Sequence, residues 1–116
     1  MTLKTNMSDE AWETFDIGAI QATLEGNAVQ YREFLKVPAL SCGLYFLPRG
    51  SEDMQSPHDE DEVYYVLKGK AQLQVGEERR EIGVGSLLYV KATETHSFFE
   101  IEEDMTLLVF FAATRR

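Results

Sequence analysis

At 116 residues the chain is sized for one domain, and its 44% apolar content is that of a globular protein. Eleven basic against twenty acidic side chains leave a formal charge of −9. A surface this acidic repels phosphate backbones and anionic lipid, which argues against nucleic-acid and membrane-surface roles. Cys42 is the only cysteine, so no intrachain disulfide can form and a reducing compartment is the simplest fit. No basic group lies near it in sequence, and it reads as a small strand hydrophobe. The first residues carry no apolar signal core, and no apolar run approaches the roughly 20 residues of a membrane span. The expected location is the cytoplasm.

In chain order, Ser8 or Asp9 can cap a short helical turn over Ser8-Asp9-Glu10-Ala11-Trp12-Glu13. Residues 15–25 carry a second weak helical pattern, with Ile17, Ile20 and Leu24 spaced by three and four, and Gly26-Asn27 stops it. From there the period changes to that of strands. Val29 to Leu35 and Leu40 to Leu47 are short and rich in β formers, with Pro38 between them. Pro48-Arg49-Gly50 is a turn. Glu62 to Leu67 reads as a strand ended by Lys68-Gly69-Lys70, and Ala71 to Val75 is expected to answer it as a hairpin. After the turn at Gly76-Glu77-Glu78 come strands at Arg79 to Ile82, Leu87 to Val90, Thr95 to Ile101 and Thr106 to Ala112. About eight short strands with closely spaced turns predict an all-β sandwich or barrel in a single domain.

The chemistry concentrates around the only two histidines, His58 and His96. Strand side chains repeat every second residue, so His58, Glu62, Tyr64 and Val66 share a face if the chain between them is extended. His96 shares its own face with Phe98 and Glu100. Two imidazoles and a carboxylate from different strands would form a facial triad, a set suited to Fe(II) and also to Mn, Ni, Co or Zn. The plainer alternative is two ordinary strand histidines. Asp59, Glu60 and Asp61 read as a charged strand-entry loop, since a Ca²⁺ site needs several converging oxygens.

Residues 50–69 and 85–100 resemble the two motifs of the cupin superfamily. The first family motif is glycine, five residues, His-x-His, three or four residues, Glu, six residues, Gly. Glu62 is followed by six residues and Gly69, and His58 takes the place of the second histidine. The second motif runs from glycine through Pro-x-Gly to His and Asn; Gly85 starts it here and His96 falls at the histidine. Fifteen residues separate Gly69 from Gly85, a short spacing typical of the superfamily. Three departures stand out. Ser56 replaces the first motif histidine, Lys91 and Thr93 replace the proline and glycine, and Glu100 replaces the asparagine.

The resemblance covers roughly residues 40–112, with 1–39 as a helical and strand extension. It implies a double-stranded β-helix of the jelly-roll, RmlC-like kind. It also implies one divalent metal ion held by His58, Glu62 and His96, with Gln55 as a candidate fourth ligand through its carbonyl oxygen, redirected by a bend at Pro57. A barrel that has lost its metal is the competing expectation. Tyr64 and Glu100 are the candidate proton-transfer groups, and Tyr64, Phe98 and Phe110 or Phe111 the candidate cavity walls. The implied activity is that of a metal-dependent enzyme on a small organic molecule, dioxygenase-like before isomerase or lyase. The alternative is a non-catalytic small-molecule binder or sensor. A homodimer is expected, with Trp12, Phe15, Tyr31 and Phe34 of the N-terminal segment as dimer or lid element.

Overall fold

Strands that alternate inward and outward side chains must bury the inward set against a second layer. The computed structural model describes residues 2–3, 7–53 and 57–113. After β1 (Thr2–Leu3) and α1 (Ile17–Gln21) come β2 (Gln30–Val37), β3 (Leu40–Leu47), β4 (Glu62–Lys68) and β5 (Lys70–Val75). β6 (Glu78–Gly83), β7 (Leu87–Val90), β8 (His96–Phe99) and β9 (Met105–Ala112) follow. They form a six-stranded sheet in the order β1-β2-β3-β9-β4-β7 and a three-stranded sheet in the order β6-β5-β8. All pairings but β1 with β2 are antiparallel. The two sheets face each other across one apolar core, to which Leu47, Val66 and Leu107 come from the larger and Ala71, Leu73 and Phe98 from the smaller.

The expected hairpin between β4 and β5 does not form. β4 pairs with β7 and β9, whereas β5 pairs with β6 and β8. Gly69 between them adopts a φ of 96°, and a Cβ there would lie 2.6 Å from the Asp104 carbonyl oxygen. This left-handed residue carries the chain from one sheet to the other, a path that any larger side chain would obstruct. The hairpin is instead β5–β6, closed at Gly76, where φ is 59°.

The N-terminal expectations also shift. No helix forms over residues 7–16. Ser8 N donates to the Lys36 carbonyl (2.8 Å), while the Ser8 hydroxyl accepts from Glu10 N (3.3 Å) and donates to Glu13. The capping chemistry is present, but the link to β2 holds the segment against the sheet. α1 is shorter than its pattern. Asp16 caps it by accepting from Ala19 N at 3.1 Å, and beyond Gln21 the Thr23 hydroxyl takes the Ile20 carbonyl at 2.6 Å. Ile17 and Ile20 pack with Leu24, Leu44 and Phe46 in a second apolar cluster. That cluster also takes in Phe34, the extra residue where the β2–β3 register shifts. Cys42 is buried in β3, and burial pushes its thiol up to about 11, as befits an inert packing residue. No helix among the described residues is long and apolar enough to cross a membrane.

Candidate functional site

The inward faces of β4, β8 and β9 bring the chemistry together at one end of the barrel. Glu62 opens β4 and is 2% exposed, with Tyr64 two residues on at 1%. β8 contributes His96, also buried, and His58 approaches from the loop before β4 with its side chain 35% exposed. Both histidines direct Nε2 at the same carboxylate. The distance is 3.4 Å from His96 to Glu62 Oε2 and 3.7 Å from His58 to Oε1. The Tyr64 hydroxyl donates to Glu62 Oε2 and lies 3.1 Å from His96 Nε2.

His96 Nδ1 lies 3.0 Å from the Glu94 carbonyl, which can only accept, so Nδ1 carries the hydrogen. In neutral imidazole that leaves Nε2 as a lone pair facing the carboxylate. The single Tyr64 proton is already given to Glu62. A carboxylate oxygen and an imidazole lone pair buried 3.4 Å apart repel each other, and a proton or a metal ion between them would relieve this. The proton alternative appears in the titration of His96. Burial opposes its charged form, but the hydrogen bonds to Glu62 and the Glu94 carbonyl, with the charges of Glu62 and Asp53, outweigh it and raise its pKa.

The donor set fits a divalent transition metal in kind: two imidazole nitrogens and a carboxylate, with the second nitrogen of His96 oriented by a carbonyl. As they stand, no group of three or more His, Cys, Asp or Glu side chains among the described residues is arranged as a metal site. The Tyr64 hydroxyl sits between Glu62 and His96, and His58 stands furthest out.

Beside the cluster lies a cavity of about 340 Å³ whose walls include Tyr31, Tyr45, Tyr64, Val109 and Phe111. His58 packs edge-on against Phe111, ring centroids 5.3 Å apart. Gly43 is required here. A Cβ on it would lie 2.5 Å from the Tyr31 hydroxyl oxygen, so the tyrosine ring fills the space a side chain would take. A wider groove of about 820 Å³ runs along β6 and β7 and includes neither histidine in its walls.

Several expected residues stand elsewhere. Glu100 is exposed in a turn after β8, with a φ of 49°, so the alternation linking it to His96 breaks before it. It is not part of the cluster. Phe110 points outward at 37% exposure, and the cavity wall on β9 is its neighbour Phe111. Phe98 is a core residue packed edge-on to Tyr64 at 5.3 Å and does not line the cavity. Gln55 and Ser56 lie outside the described residues. Of the N-terminal aromatics, Trp12 is 79% exposed, Phe15 packs on Phe34 at 4.9 Å, and Tyr31 turns into the cavity.

Sequence reasoning missed Asp53. Its carboxylate accepts from the Tyr45 hydroxyl at 2.6 Å and from the Phe98 backbone N–H at 2.8 Å, tying the loop before β4 to both sheets. Burial and the Asp53 charge push the Tyr45 hydroxyl above the usual phenol range. Nothing in the local pattern sets Asp53 apart from the other acids of its stretch.

The family described as Cupin domain matches residues 44–111, more than half of the chain. The chain belongs to this family. An uncharacterized protein of Streptomyces coelicolor, SCO3923, is 39% identical over 100 residues, which are 86% of this chain and 95% of that protein. Among solved structures, an RmlC-like cupin family protein with a double-stranded β-helix fold from Methanocaldococcus jannaschii matches with a TM-score of 0.69 and 14% identity. The match covers 93% of this chain and 94% of that one. The DMSP lyase DddQ from Ruegeria pomeroyi matches with a TM-score of 0.61 and 21% identity over 66% of this chain and 39% of its own. At these identities the likeness is one of fold, and it agrees with the all-β double-stranded β-helix expected from the sequence.

Proposed function

We propose that this cupin holds one divalent transition-metal ion with His58, Glu62 and His96, and that a small organic molecule binds beside it in the barrel cavity. The observation that carries this reading is the convergence of two imidazole Nε2 atoms on one buried carboxylate. Two imidazole nitrogens face one carboxylate, and the Tyr64 hydroxyl hydrogen is already given to that carboxylate. A bound ion would supply Lewis-acid activation of a ligand oxygen and, as Fe(II), the oxygen activation of a dioxygenase. Tyr64 then has a defined task. Its hydroxyl, buried against both Glu62 and His96, can hold or pass a proton at the cavity wall. Two further features support a small ligand over a polymer: the cavity's size and its aromatic walls.

The second reading is a binding or sensing module without metal, and the Tyr64–Glu62–His96 hydrogen-bonded network favours it. Metal analysis of protein purified without added metal separates the two. The first reading expects a stoichiometric transition metal that is lost in His58→Ala and in His96→Ala. Folded protein that neither carries nor takes up metal would overturn it in favour of the second.

A further inference from the structure

Resting on the proposal that His58, Glu62 and His96 hold a metal ion, we infer that the turn at residues 91–94 is the brace that sets their spacing, with Asp61 and Thr93 as its positioning residues. The three donors come from separate pieces of chain. Glu62 opens β4 in the larger sheet, His96 opens β8 in the smaller one, and His58 stands in the loop before β4. Among the described residues β4 and β8 share no strand pairing, so no ladder of backbone hydrogen bonds fixes the gap between them. The turn crosses that gap, because it joins the end of β7, which pairs with β4, to the start of β8.

Each donor's segment is bonded to the turn. Thr93 N donates to the His58 carbonyl at 2.7 Å. Ala92 N donates at 2.8 Å to Oδ1 of Asp61, the residue before Glu62. The Glu94 carbonyl holds Nδ1 of His96 at 3.0 Å, and Glu94 N closes the turn on the Lys91 carbonyl at 3.2 Å. Asp61 is fixed on its other side as well, its carbonyl accepting from Ala112 N at 3.0 Å where β9 ends. Thr93 shows that this turn is held in place at a cost. Its φ is 68°, a left-handed value that a β-branched residue adopts only when its surroundings impose it. Its side chain is exposed, so burial of the threonine does not account for the conformation. The N–H that the conformation presents is the one that reaches His58. Of the three donors His58 is the most exposed, and its packing on Phe111 holds the ring but not the backbone.

Isothermal titration with zinc(II) tests this on the parent protein, Asp61→Ala, Asp61→Asn and Leu107→Ala. Asp61→Ala removes the acceptor of Ala92 N and is expected to weaken zinc about tenfold or more, the usual cost of losing an outer bond of a metal site. Asp61→Asn keeps a side-chain oxygen that can accept, and should return the affinity to within about threefold of the parent. Leu107→Ala loosens the fold at the packed end of the barrel and should bind zinc as the parent does. Equal affinity in Asp61→Ala and the parent would overturn the inference and leave the metal-holding cupin intact. So would an equal loss in Asp61→Asn, which would make the effect one of charge, or in Leu107→Ala, which would make it one of general stability. A parent protein that takes up no zinc overturns the metal reading and this inference with it. Amide hydrogen exchange on the unaltered protein decides the matter even if Asp61→Ala fails to fold. The Ala92 and Thr93 amides should exchange at least about tenfold slower than in an unstructured chain, and slow further by about threefold or more when zinc is added. Unprotected amides, or protection that bound zinc leaves unchanged, would contradict the brace.

Discussion

The two ends of the barrel interior are built on the same strands and do opposite things. Along β4 the inward side chains run Glu62, Tyr64, Val66, and opposite them on β9 run Phe111, Val109, Leu107. At the Val66 and Leu107 end, Leu47 and Met105 complete a dry layer of fully buried apolar groups. At the Glu62 end, equally buried positions hold a carboxylate, an imidazole and a phenol. One end gains stability from each buried atom. The other removes a charge from water, which costs stability unless a cation or hydrogen bonds offset it. The pleat dictates which residues point inward, and the choice between packing and chemistry is made residue by residue along it.

The largest expected effect lies at the packed end. Leu107→Ala should cost about 2–5 kcal/mol in urea denaturation, through lost burial and the void it leaves. Its metal content should stay that of the parent protein. A cost below about 1 kcal/mol would mean that this end is not the stabilising one.

A smaller effect separates the ends in alkali. Tyr31 and Tyr45 both have folded-state pKa values raised above the ordinary phenol value near 10, by burial first and then by neighbouring carboxylates. Their contribution is therefore complete below about pH 10 and is lost as pH climbs toward the folded values. The expected slope is at most about 1.4 kcal/mol per pH unit for each. Unfolding free energies measured from pH 9 to 11 should fall with this slope added to that of the Cys42 thiol, which is also raised, to about 11, and Tyr31→Phe with Tyr45→Phe should make the fall shallower. An unchanged slope in the double variant would remove the two hydroxyls from the account.

The smallest expected effect, at the chemical end, is on stability. Glu62→Gln keeps shape and hydrogen-bonding atoms but removes the buried charge, so the metal-free protein should change by less than about 1 kcal/mol, in either direction. Metal uptake, measured by dialysis against cobalt(II), should be lost in the same variant. A large destabilisation without loss of metal would reverse the contrast between the two ends.

How much of this was legible beforehand follows the same division. The strands and the fold class could be read because period-two alternation and turn residues are local signals. Glu62 and Tyr64 could be placed on one face because both lie inside one regular strand. Alternation failed where strands end. Glu100 follows β8 in a left-handed turn, and the odd-numbered side of β9 faces inward, which selects Phe111 over Phe110. A left-handed glycine looks the same in sequence whether it turns a chain back or sends it to another sheet, so nothing local to Gly69 tells a β4–β5 hairpin from a crossing. Tyr31, Tyr45 and Asp53 meet the site only through pairing of β2 with β3 and a loop that bonds to β8, contacts without a local signature.

Anomalous diffraction at the cobalt edge, from crystals of the protein grown with cobalt(II), tests the central claim most directly. The account predicts one strong peak about 2.0–2.3 Å from Nε2 of His58, the Glu62 carboxylate and Nε2 of His96. A peak elsewhere, or none at this site with the Tyr64–Glu62–His96 hydrogen bonds undisturbed, would contradict it.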